Sequence, residues 1–462
     1  MAESARVYPY IPNSVPEVKD EMLKEVNASN ISDLFVEIPE HLKMAKKLDL
    51  PDPILDEYSL KRHLESLLEK NKNVTEYLNF IGAGCAEHAV PAVCDEISGR
   101  GEFLTAYVGE SYADHGKWQA FFEYCSLMAE MLDLDVLSCP LYDGAQAAST
   151  SIRMASRVNG RSEVIIPKTM SPDNRLVVEN YLKPDIRLFE VGFNTNSGLM
   201  NLTDLKSKVS SNTSAVLIEI PSYLGFLESQ VLEIGDIVRG VGAEFIVYTD
   251  PISLGVIAPP AQYGATFACG DFQPLGMHMQ AGGGQGGFIA TVDEMKYISE
   301  FKDLMFGITE TTVNGEYGFG EVLFERTSYG SRAEGKEFTG TTTGLWAINA
   351  AVYLTLMGPK GMAEIGKTIM QMSQYAASKL SEIEGVKIGL NSPFFKEFVV
   401  NFDDSGKTVT EINRALLGRK IFGGKDLSRE FPELGQSALF CVTETKNQGE
   451  IDRLAEAVKE VI

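Results

Sequence analysis

Residues 269–288 read CGDFQPLGMHMQAGGGQGGF, the close of an apolar run followed by a turn dense in glycine. Some twenty residues upstream, FIVYTDPISLG (245–255) closes another apolar run on Asp250. Around this pair, from about 80 to 300, short β-rich runs alternate with helical ones: SEVIIP, IRLFEV, SAVLIEI, EFIVYTD, ATFACGD and GGFIATV, separated by helices such as GKWQAFFEYCSLMAEML and LEIGDIVRGVG. Continuous apolar strands alternating with helices predict a mainly parallel, doubly wound α/β sheet. Ligands of such sheets bind beyond the carboxyl ends of the strands, so Asp143, Asp250, Asp271 and the glycine turn are expected to cluster.

An aspartate closing one strand and a glycine turn closing the next outline a site for pyridoxal phosphate (PLP). There an acidic side chain holds the pyridine nitrogen, and a lysine some twenty to thirty residues later forms a Schiff base. That lysine is missing: from Gly240 to Met295 there is neither Lys nor Arg. An imine to an aldehyde cofactor needs a primary amine, which His278 cannot supply. Asp250, Leu275, Gly282, Gly283 and Gly284 are therefore read as relic positions of a cofactor site. The glycines are equally compatible with close approach of backbone to a neighbouring chain.

Three regions follow from the rest of the chain. Residues 1–80 are expected to form a helical arm (VPEVKDEMLKEV, ISDLFVEI-PEHLKMAKKL, SLKRHLESLLEKN), too poor in apolar surface for its own core and expected to wrap around something larger. Residues 81–345 form the large sheet domain, and 346–462 a linker helix with a small C-terminal α+β domain. This layout matches the PLP-dependent transferase fold of type I.

Composition narrows the function classes. A net charge of −23 over 462 residues argues against nucleic acid and anionic membranes. The longest apolar runs fall short of a membrane span, and MAESARVYPYIPNS lacks the pattern of a signal peptide. Six scattered cysteines without a CxxC pair read as free thiols of a reducing compartment, so the chain is expected in the cytoplasm with no metal site.

Several ordered motifs carry a resemblance. YPYIPNSVPEVKDEML, ISDLFVEIPEHL, FIGAGCAEHAVPAVCDEISGRGEFLTAY, LYDGA, TDPISLG and AAVYLTLMGPKGM closely resemble the subunit-1 branch of the glycine cleavage P-protein family, glycine dehydrogenase (aminomethyl-transferring). The likeness runs in order from about residue 7 to 365, and more faintly to the end through ALFCVTETKNQGEID. It implies a subunit of an oxidoreductase acting on CH–NH2 donors, inactive alone. A lysine-bearing subunit 2 would hold PLP in an α2β2 heterotetramer, decarboxylate glycine and pass the aminomethyl group to the lipoyl H-protein. The departures from the family pattern lie in GAGCAEHAVP, which keeps His88 and Pro91 but has Ala86 and Ala89 for tyrosines, and in the loops 108–116 and 331–344. The second loop keeps Arg332 and Thr341. These departures leave two further readings open: a paralogue acting on another amino acid or acceptor, or a non-catalytic scaffold or ligand-binding protein.

Single residues divide between roles. Asp250 is expected to cap the turn after its strand, and Asp143 to cap the helix AQAASTSIRMASRV, whose start could alternatively face an anion. His88, Tyr107, Tyr142, Asp143, Arg332 and Thr341 are candidates to line the partner's pocket or its entrance. His88 is equally readable as a hydrogen-bonded structural imidazole, Tyr107 as core, and Arg332 as a solvated charge. His115 beside Asp114 could form a general-base pair, though adjacent residues at a helix start commonly face solvent.

Overall fold

The computed structural model describes residues 7–44, 46, 48–104, 115–280, 285–337 and 342–462. The chain divides into two compact units, 1–72 and 73–462. In the first, α1 (Pro16–Glu25) starts with proline in its first turn, and α2 (Glu57–Leu68) is capped by Asp56, whose carboxylate accepts from the Ser59 N–H at 2.7 Å. The middle segment, expected to be helical on either side of Pro39, forms two short 3-10 turns among the described residues, Ile31–Phe35 and Glu40–Leu42. Asn30 and Asp33 close a capping box on the first of these. Pro39 then has no N–H to carry a helix through. Leu23 is the buried large apolar side chain of this unit among the described residues, while Tyr10 stands almost fully exposed and Val36 and Leu55 largely so.

The second unit opens with β1 (Leu78–Asn79), α3 (Ala92–Ser98) and α4 (Trp118–Leu132). Its large sheet is built from β2 (Val136–Leu137), β3 (Glu163–Pro167), β4 (Arg187–Val191), β5 (Thr213–Ile220), β6 (Glu244–Thr249), β7 (Phe267–Asp271) and β8 (Gly287–Thr291). The order is β2-β8-β7-β6-β5-β3-β4. From β7 to β4 every neighbour runs parallel; β8 pairs antiparallel with both β7 and β2. The six apolar runs quoted above are β3 to β8, as expected. Both faces are covered, which is why these strands are continuous apolar runs rather than alternating ones. Along β6 the pleat still sorts the faces: Ile246 joins a core with α5 (Gly144–Asn159), while Phe245 and Val247 join one with Ile234 and Val238. Between α5 and α8 lie α6 (Pro172–Leu182) and α7 (Leu202–Lys208), and α8 itself spans Val231–Gly240.

After β8 comes a hairpin, β9 (Phe306–Glu310) and β10 (Tyr317–Glu321). The long α9 (Gly344–Ser381) is two helices joined at Gly358, whose φ of 59° and ψ of 179° break the helix just before Pro359. It leads to an antiparallel sheet of β11 (Lys387–Ile388), β12 (Glu397–Asn401), β14 (Lys425–Asp426) and β15 (Ser437–Cys441), in the order β11-β12-β15-β14. Helices α10 (Val409–Leu417) and α11 (Gln448–Val461) pack against this sheet, each started by a capping box. The remaining strand, β13 (Ile421–Phe422), pairs in parallel with β1 and ties the start of the unit to its end. Among the described residues no helix is long and apolar enough to cross a membrane. All six cysteines are free.

Candidate functional site

The carboxyl ends of β5, β6 and β7 deliver Glu219, Asp250 and Asp271 to one cavity of about 80 Å³. Asp250 caps its turn as expected: Oδ1 accepts from the Ile252 N–H at 3.1 Å. Its other oxygen meets a residue that the reading of this segment did not anticipate. Lys396, at the entry to β12, places Nζ 2.6 Å from Asp250 Oδ2, with both side chains more than four-fifths buried. Burial alone pulls the Lys396 ammonium down. The carboxylates of Asp250 and Glu397 outweigh it and hold the group above the usual lysine range.

Behind Lys396 runs a buried network. Its Nζ lies 3.4 Å from His88 Nε2, and His88 Nδ1 lies 3.0 Å from Glu444 Oε2. With Lys396 donating to Nε2, Nδ1 carries the proton that Glu444 accepts. Glu444 also accepts from the Ala89 N–H at 2.7 Å. Burial pushes the Glu444 carboxyl up, but His88 and these hydrogen bonds bring it below its ordinary value. The neighbouring Glu397 accepts from the Ala83 N–H at 2.6 Å, and burial raises its carboxyl.

Asp271 accepts from the Tyr248 hydroxyl at 2.9 Å and from the Gln273 N–H at 3.2 Å. Burial, followed by repulsion from Asp250, raises it from 3.8 to about 6. Burial likewise raises Glu219 to about 7, although it accepts from the Tyr223 N–H at 3.1 Å. For Asp271 the folded chain holds its proton longer than the unfolded one, so stability falls as pH rises from about 4 to 6 and stays lowered above. Asn at 271 can still accept from Gln273 and can donate to Tyr248. Asp271→Asn is therefore expected to raise stability at pH 8 by about 1–3 kcal/mol and to flatten the melting temperature between pH 4 and 6. Thermal melts across that range check it; an unchanged slope refutes it.

Asp143 caps α5, with its carboxylate accepting from the Gln146 N–H at 2.7 Å. Gln146 in turn accepts from the Tyr142 N–H at 2.8 Å. Gly287 packs so closely that a Cβ there would sit 2.1 Å from the Asp143 carbonyl oxygen. A wider pocket of about 570 Å³ adjoins the cavity, lined by Asp143, Tyr248 and Gln285 among others. Leu275 is fully buried in a core with Phe272 and Tyr353. Arg332 is exposed, on a turn with φ of 51°. Lys336 pairs with Glu300 at 2.8 Å. Tyr107, Asp114, Gly282, Gly283, Gly284, Thr341 and the side chain of His115 lie outside the described residues. Among the described residues no group of His, Cys, Asp and Glu is arranged to hold a metal ion.

The family model for the glycine cleavage system P-protein matches residues 9–458. This chain belongs to the glycine cleavage P-protein family. It is 37% identical to the probable glycine dehydrogenase (decarboxylating) subunit 1 of Staphylothermus marinus over 98% of each chain. The protein of the same name from Pyrococcus horikoshii is 36% identical, over 98% of this chain and 99% of that one. A solved glycine decarboxylase (P-protein) of the glycine cleavage system, in inhibitor-bound form, aligns with a TM-score of 0.84 at 32% identity, covering 99% of this chain and all of the other. A sphingosine-1-phosphate lyase from Burkholderia pseudomallei shares the fold alone, with a TM-score of 0.64 at 13% identity over 90% of this chain and 92% of that one. The architecture is the type I fold of PLP-dependent transferases, as expected.

This P-protein's own cleft does not fit the cofactor of that fold. Leu275, one of the positions read as a relic of the cofactor site, is core and carries no amine. Asp250, the residue read as partner of the ring nitrogen, is already paired with Lys396. Asp143 fills the start of α5 with its own carboxylate, which would repel a phosphate.

Proposed function

We propose that this chain is subunit 1 of a two-subunit glycine decarboxylase, completed by a lysine-bearing subunit 2 that holds PLP. On this reading the pair forms an α2β2 particle in the cytoplasm, decarboxylates glycine and hands the aminomethyl group to the lipoyl arm of the H-protein. The observation that carries it is a P-protein match over residues 9–458 whose own Asp250 is engaged by its own Lys396. The relatives named as subunit 1 support it across 98% of the chain. The division of labour by domain is the same proposal: residues 81–345 and 346–462 form the inert cleft, and the 1–80 arm offers its exposed apolar side chains to the partner. His88, buried against Glu444, then contributes to the framework rather than to the partner's pocket. Tyr142, nearly half exposed, remains the described candidate for that pocket.

Co-expression with a lysine-bearing homologue tests this. A stable mixed complex that exchanges labelled CO2 with the glycine carboxyl is expected. Exchange should vanish when the partner's cofactor lysine is replaced. Exchange by this chain alone, or failure of any lysine-bearing P-protein subunit to associate with it, would overturn the reading.

A further inference from the structure

The sequence explains why PLP cannot attach covalently to the 240–295 segment, but not why the vacated cleft should be closed. We propose that Lys396 is a built-in replacement for the cofactor ring: its ammonium takes the place beside Asp250 that a pyridine nitrogen would take, and its side chain closes the cleft to pyridine ligands even without an imine. Two observations converge on this. The ammonium sits 2.6 Å from the carboxylate oxygen that is not engaged in capping the turn. And Lys396 is built in rather than loosely placed, being backed by His88 and, through it, by Glu444.

Lys396 is not a displaced Schiff-base lysine. In a pyridoxal ring the nitrogen and the aldehyde-bearing carbon lie opposite each other, so an amine at the nitrogen's place faces the wrong end. A protonated ammonium paired with a carboxylate also lacks the lone pair that imine formation needs. Asp250 thus keeps a cationic partner in a cleft that has lost its ligand, and avoids standing as an unpaired buried carboxylate.

The full chain, with 3-hydroxypyridine as a probe that can form no imine, tests this by titration calorimetry. The wild-type chain is expected to show no saturable binding at millimolar probe. K396A should bind at least tenfold more tightly, and D250N/K396A should lose that gain. Equal binding by wild type and K396A, or no gain in a folded K396A, would overturn it. The wild-type chain alone supplies a second readout that needs no variant. Pyridoxal phosphate with borohydride should mark exposed lysines such as Lys61 while leaving Lys396 unmodified, and a pyridoxyl adduct on Lys396 would overturn the assignment. Neither experiment involves glycine or a partner, so their failure and failure of the proposed function are distinguishable.

Discussion

Gly225→Ala is expected to be the most damaging small substitution near the cleft, lowering stability by about 2–6 kcal/mol. Gly225 has a φ of 90°, outside the range that L side chains adopt readily, and such strain costs roughly 1–3 kcal/mol. A Cβ there would lie 1.9 Å from the Glu397 carbonyl oxygen and 2.4 Å from its carbon. Forcing an atom into a packed site costs about another 1–3 kcal/mol. Neither side can easily give way. The Gly225 N–H donates to Ser222 O at 2.8 Å, and the Leu227 N–H donates to Pro393 O at 2.7 Å. The turn after β5 is thereby knitted to the strand that carries Lys396 and Glu397. Gly160→Ala is the control: its φ is 68°, but a Cβ there meets nothing within 4 Å, so roughly 1–2 kcal/mol of backbone cost remains. Urea unfolding of both variants checks this, and a G225A midpoint equal to that of the wild type would refute it.

What could be read from the sequence was whatever local pattern decides. The runs of β3 to β8 are largely apolar and bounded by turn residues, so their class, though not the order of the strands in the sheet, followed from local pattern alone. The capping aspartates at 143 and 250 were legible because the residues they cap follow within three positions. The proline-broken helical pattern of 31–48 gave only short turns, because Pro39 and the Asn30–Asp33 box favour them and, among the described residues of that unit, only Leu23 is a buried large apolar side chain. The β9–β10 hairpin did leave a signal, Asn314-Gly315, with Gly315 at a φ of 82°. Lys396 is the instructive miss. A cation-free stretch from 240 to 295 shows that no lysine comes from that segment, but not that a distant strand brings one. The clue was local and weak: FFKEFVV (394–400) sets a Lys-Glu pair inside an otherwise apolar strand, where each charge must find a buried partner. Which partner is a matter of topology, because β12 reaches the carboxyl end of β6 only once the two sheets are assembled.

The second large effect is expected from breaking the Asp250–Lys396 pair one partner at a time. Asp250→Asn keeps an oxygen for the Ile252 N–H but leaves the ammonium unmatched; Lys396→Met fills similar space but leaves the carboxylate unmatched. Each is expected to cost about 3 kcal/mol, since removing one member of a buried pair strands the other. The double variant D250N/K396M strands neither, and should cost less than the sum of the two by about 0.5–3 kcal/mol. The pH dependence separates this pair from Asp271. The Lys396 ammonium is raised in the folded chain, so its contribution is fully present below about pH 10.5 and is lost only in stronger alkali. Above the range where Asp271, which Asp250 repels, takes up its proton, the cost of D250N should therefore stay level, from about pH 8 to 9. Additive single effects in urea would mean that the two side chains are neighbours without being coupled, and Lys396 would then have no claim to the place of the missing ring.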